Sequence, residues 1–245
     1  MEQTVTKDPY FSMVFNTFSF CVGFTERFLI YSAQKIKLDG GVSPTTQKSL
    51  TSFIRDERNH LSAHKYLNQS IFEHLSISAT KDIQKRLQKE LCEDCRHEDV
   101  VDLARRAAVV ELLFGAISHV FVTNNLDLKM DCESAKVARW HAEEELDHGP
   151  DLLDAYFEIG GSLRSLVFEG IKAIPKSLVT FIFMTLTIQH LSHAPQGFPA
   201  KFSGYSRVLF QCFIQIPKGL GYMVQQLKEA GQKMKRRSSG DQRIA

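Results

Sequence analysis

The chain has 245 residues, of which 43% are apolar and 24% charged, and a formal charge of +2 at neutral pH. That is ample for one large core, and a charge so near zero gives no electrostatic footprint for nucleic acid. Five cysteines, an odd number, without a basic–apolar–small leader at the N-terminus, point to a reducing cytoplasm. The most apolar run, 178–188, falls well short of the about 20 residues that a bilayer span needs, which argues against an integral membrane protein.

Residues 1–9 are polar and read as loose. Over 10–37, Phe11, Val14, Phe15, Phe18, Val22, Leu29 and Ile30 recur at helical spacing, with Glu26 inside the stripe. A carboxylate there must pair with an Arg, take up a proton, sit at the stripe's edge or bind a metal, because burying it bare is too costly. LDGGVSP breaks the chain, with Ser43 as N-cap and Pro44 at the first helical position. The helix that follows, over 44–76, carries FIRDERNHLSAH. Its Glu57 and His60, three apart, project from one face, and His64 extends that face by a turn.

After SISAT, a helix over 81–123 is expected, bent near residues 95–97. Cys92 and Cys95 with His97 lack the fourth ligand and the second paired unit of a zinc site, and read as ordinary reduced cysteines. Further along, Ala104, Ala107, Ala108, Gly115 and Ser118 share a side with Glu111. Close helix packing explains the small residues but not the Glu. A loop over 123–131 precedes a helix over 131–159 that carries WHAEEELDH. There Glu145 and His148 repeat the Glu-x-x-His spacing, and His141 lies four before Glu145. Gly149 and Pro150 predict a kink or break just past that face. Residues 162–235 contain two similar phrases, AIPKSL and QIPKGL, and read as two or three amphipathic helices, with contact to a membrane surface as the lesser alternative. Residues 1–237 read as one helical metal-binding domain and 238–245 as a disordered tail.

In chain order, four successive helices thus offer Glu26, then Glu57 with His60, then Glu111, then Glu145 with His148. This is the ligand order of ferritin-like four-helix bundles, which hold two metal ions between one Glu on each of two helices and one Glu-x-x-His on each of the others. The expected fold is therefore all-α, a ferritin-like bundle with additional C-terminal helices. Four carboxylates in a low-dielectric core repel one another until two divalent ions neutralise them. Oxygen and imidazole donors without thiolate suit iron or manganese, with zinc an alternative. His64 and His141 are either further ligands or residues that orient the carboxylates.

The phrases FIRDERNHLSAH, VVELLFGA and WHAEEELDH resemble a bacterial family of predicted metal-dependent hydrolases, with motifs of the form F-x-x-x-E-x-x-H-x-x-x-H and W-H-x-x-E-E-x-E-H. The resemblance covers about residues 20–160. It implies Glu57, His60, His64, Glu111, His141, Glu145 and His148 as site residues, with Glu26 matching an N-terminal Glu. Asp147 departs from the family's usual Glu, and the Gly149–Pro150 pair departs from its more helical continuation.

The ligand set by itself leads to a di-iron oxidase or oxygenase, with dioxygen as co-substrate. Eighteen Phe suit an apolar or amphipathic organic substrate. A dinuclear hydrolase that activates water with the same metals is the alternative, and a non-catalytic metal-binding protein the third reading. A homodimer is an open expectation.

Overall fold

The computed structural model describes residues 9–72, 98–130, 132–147, 151–191 and 214–233, with isolated positions at 85, 89 and 95. The described residues are all-α, without a strand: α1 (Pro9–Asp39), α2 (Pro44–Phe72), α3 (Val100–Thr123), a short 3-10 turn (Leu126–Lys129), α4 (Cys132–Asp147), α5 (Asp151–Glu158), α6 (Leu163–Leu191) and α7 (214–233).

The corner between α1 and α2 forms where the sequence places it. Gly41 adopts φ +65°, a left-handed conformation that costs glycine little. Ser43 then caps α2, accepting from Thr46 N at 3.4 Å. Glu158, at the end of α5, accepts from both Ser43 N and Thr46 Oγ1, so the same corner is tied to a residue 115 positions away.

Two expected boundaries move. The helix over 81–123 is described from Val100, because Asp99 takes an extended backbone (ψ 144°) and its carboxylate accepts from Val101 N at 2.8 Å. That cap starts a helix rather than continuing one. The helix over 131–159 is two helices, α4 ending at Asp147 and α5 beginning at Asp151. The intervening His148, Gly149 and Pro150 lie outside the described residues, as do Cys92, His97, the SISAT stretch and the C-terminal tail. Of the C-terminal amphipathic helices, α6 and α7 are seen. Pro175 sits inside α6, at the cost of one backbone hydrogen bond.

By length and composition α3 is the one described helix that could cross a bilayer. It packs instead against α1, α4, α5 and α6, with Leu103, Ala107, Leu112 and Phe114 buried and Glu111 at mid-length. It is the central core helix, and its small residues let the neighbours approach.

Two apolar clusters form. One gathers Phe28, Leu29 and Ile36 of α1, Leu50 and Phe53 of α2, Leu103 and Ala107 of α3, and Leu152, Leu153 and Tyr156 of α5. The other gathers Phe11, Val14, Phe15, Leu67, Met130 and Ala138. Fully burying one such Leu or Phe contributes about 1.5–3 kcal/mol. On α1 the first cluster lies C-terminal and the second N-terminal; on α2 the order reverses, as antiparallel neighbours require. Between them, on both helices, falls a layer of buried polar residues.

Candidate metal centre

That layer draws on four helices. Glu26 of α1, Glu57, His60 and His64 of α2, Glu111 of α3, and His141 and Glu145 of α4 are all buried. Helical periodicity explains the convergence on α2 and α4: 57, 60 and 64, like 141 and 145, are three or four apart and share a face. Ligand-capable atoms of Glu26, Glu57 and His60 lie within 4.8 Å of one another, as do those of His60, His141 and Glu145, and those of Glu26, His64 and His141. Six of the eight candidate residues are thereby interlocked.

Of the alternatives for Glu26, pairing with an Arg does not hold among the described residues. Both oxygens of Glu26 and both of Glu57 are buried and accept no hydrogen bond among the described residues. Arg27 lies over the Phe24 ring instead, 5.7 Å from its centroid. Burial pushes the carboxyls of Glu26 and Glu57 well above the ordinary carboxylate range, and repulsion from Glu145 pushes both further. Four unsatisfied carboxylate oxygens in a core cost several kcal/mol unless a cation or protons compensate. The donor set fits a divalent metal.

Glu111 is placed differently. Its two oxygens accept from Leu152 N and Leu153 N, each at 3.1 Å, so it closes the first turn of α5. Burial raises its carboxyl well above the usual range, while the Leu152 amide works against that shift. It lies near enough to add its repulsion to Glu57, yet it belongs to none of the three interlocked groups. His148, the remaining candidate, lies outside the described residues.

The imidazoles are ordered by a chain of hydrogen bonds that the motifs do not contain. Asn68 Nδ2 donates to the carbonyl of Ser19 at 3.1 Å, which fixes the amide so that Oδ1 faces the Ser19 hydroxyl and accepts from it at 2.9 Å. With its proton committed to Asn68, Ser19 Oγ accepts from His64 Nδ1 at 2.8 Å. His64 Nε2 is then the acceptor for His141 Nδ1–H. Burial, with repulsion from His141 in second place, keeps the His64 imidazole pKa well below its ordinary value, in keeping with a neutral ring. The lone pair of His141 is left on Nε2, which stands 3.0 Å from Glu145 Oε1 and 3.9 Å from Glu26 Oε1. With Nδ1 donating to His64, the 3.0 Å contact of Nε2 with Glu145 Oε1 calls for a proton or a cation between the two atoms.

The His60 ring stacks on His141 at 4.2 Å, with its Nδ1 3.6 Å from Glu145 Oε1 and 3.8 Å from Glu57 Oε1. Trp140, half-exposed, meets His60 edge-on at 5.2 Å, so the layer approaches the surface there. Phe18 of α1 and Phe114 of α3 meet at a tilt, their ring centroids 5.9 Å apart.

Against known families, the chain matches over residues 2–234 the family described as predicted metal-dependent hydrolase. The chain belongs to that family. The match extends the motif resemblance to nearly the full length, α6 and α7 included. The chain matches no curated protein and no solved structure. Membership corrects the expectation of a di-iron oxidase or oxygenase using dioxygen. The family is described by metal-dependent hydrolysis, which needs a Lewis acid and water but no redox change. Carboxylate and imidazole donors serve either chemistry, which is why the ligand set alone led to the wrong one.

Ser19 and Asn68 were not anticipated. Each had a readable signal: Asn68 continues the α2 stripe four residues past His64, and Ser19 lies two turns before Glu26 amid phenylalanines. Tyr222 of α7 was also missed. Its ring lies over Gly115, where a Cβ would come within 2.9 Å of Cε1, and stacks on His119 at 5.1 Å.

Proposed function

We propose that the chain is a dinuclear metal-dependent hydrolase in which Glu26, Glu57, His60, His141 and Glu145 hold the metals. The observation that carries this reading is the set of four buried oxygens of Glu26 and Glu57 that no group among the described residues satisfies, with the interlocked histidines beside them. Bound there, divalent metals would lower the pKa of water and polarise the electrophilic oxygen of a substrate. The chain's own part is to position and to exclude. Asn68 and Ser19 fix the tautomer of His64, and His64 holds His141 with its Nε2 lone pair toward the carboxylates. His64 is thereby a positioning residue, and His141 a ligand. Glu111, engaged by two backbone amides, anchors α5 against the layer. The apolar clusters above and below limit water and suit a substrate with an apolar body.

The test is hydrolysis under nitrogen by metal-free protein reconstituted with ferrous iron, manganese or zinc. The panel is nitrophenyl carboxylate esters and phosphoesters of increasing alkyl length. Product release that requires metal and proceeds without oxygen is expected, with longer alkyl chains preferred. Absence of metal-dependent release across the whole panel, from protein shown to have bound its metal, would sink the reading.

A further inference from the structure

Helix α6 has an inner face and an outer one, and the outer face is the wrong kind for water. Leu166 and Met184 point inward and are buried, while Phe168, Ile171, Val179 and Phe183 are 58%, 64%, 66% and 50% exposed. With Val167 and Leu178, also exposed, they form two groups on one side of the helix, 167–171 and 178–183, two turns apart. At about 1.5 Å per residue the two groups together span roughly 25 Å of the helix. Single exposed apolar side chains need no explanation, but a contiguous patch of this kind marks an interaction surface.

The charges on the same face are of one sign. Arg164, Lys172 and Lys176 are exposed and make no ion pair among the described residues, and Lys172 Nζ lies over the Phe168 ring at 4.2 Å. Glu169, the one acidic residue of α6, turns inward to Arg105 at 3.7 Å. A second copy of this chain would bring the same cations against themselves, which disfavours face-to-face pairing. Apolar anchors bordered by unpaired Lys and Arg are the composition of a helix that lies in the plane of an anionic bilayer, its apolar side among the acyl chains and its cations at the headgroups.

We propose that the outer face of α6 docks on an anionic lipid surface. The docking is independent of the metal chemistry, since none of these residues belongs to the polar layer.

Co-flotation of the full metal-loaded chain with vesicles tests it, using phosphatidylcholine alone against phosphatidylcholine mixed with phosphatidylglycerol. The mixed vesicles are expected to bind up to about a hundredfold more tightly, the effect of three surface cations, with the advantage shrinking as salt rises. Ile171→Asp combined with Val179→Asp is expected to abolish binding while helical content and metal content stay unchanged, both positions being exposed. Three outcomes would overturn the proposal: no flotation with either vesicle, flotation undiminished in the double variant, or self-association without lipid that the double variant abolishes. The last would make a second copy the occupant.

Discussion

His64 Nε2 and His141 Nδ1 share one proton between α2 and α4, two helices whose contact residues here lie 77 positions apart in the chain. Because His64 receives this proton only if Ser19 and Asn68 hold it in one tautomer, the roles of the two histidines are separable. His141→Ala should remove metal outright, whereas His64→Ala should keep the metal count and weaken affinity about 10–100-fold. Ser19→Ala should act in the same direction as His64→Ala but less, and Ser19→Thr should restore affinity by restoring the hydroxyl. Metal content after dialysis and a titration of affinity decide it; equal loss of metal in the His64 and His141 variants would make both ligands.

The carboxyls of Glu26 and Glu57 are held above their unfolded value of 4.5 by burial first and by Glu145 second. In the metal-free protein the folded state therefore holds protons that the unfolded state has released. Their contribution is complete below the unfolded value and is lost as pH rises through the folded ones. Urea midpoints of the metal-free protein should fall as pH rises from the unfolded value of 4.5 through the raised folded ones, and added metal should flatten the trend while releasing protons. Glu57→Gln should stabilise the metal-free protein at neutral pH, by removing the need to protonate a buried carboxylate, and should destroy metal binding.

Glu111 serves α5. Removing its carboxylate in Glu111→Ala leaves the buried amides of Leu152 and Leu153 without acceptors, a loss of about 1–3 kcal/mol for each group left unsatisfied. Glu111→Gln keeps one acceptor and should lose about half as much. Thermal unfolding measures both. Metal content should fall less in either variant than in Glu57→Ala, in keeping with Glu111's place beside the interlocked groups.

Gly115 is where α7 meets α3. In Gly115→Ala the new methyl would stand 2.9 Å from Tyr222 Cε1 and 3.1 Å from its hydroxyl oxygen, so the ring must move off His119. Overpacking of this kind costs about 1–3 kcal/mol. Tyr222→Leu in the same chain should recover part of it, and a double-mutant cycle on unfolding midpoints would show the coupling.

How much of this the sequence determines follows from the range of each interaction. The Glu-x-x-His pair on α2, the His141–Glu145 pair on α4, the Ser43 cap and Glu26 within an apolar stripe all rest on the 3.6-residue period of one helix. Such features are legible because their partners lie within a turn or two. The break between α4 and α5 followed from Gly149 and Pro150 for the same reason. Only the tertiary structure decided that Glu111 closes a helix begun 40 residues later, that Glu26 finds no Arg, and that Ser19 and Asn68 set which nitrogen of His141 faces the carboxylates. Those relations join groups tens of residues apart, and a hydrogen bond at 3 Å depends on how helices pack, which no local period encodes.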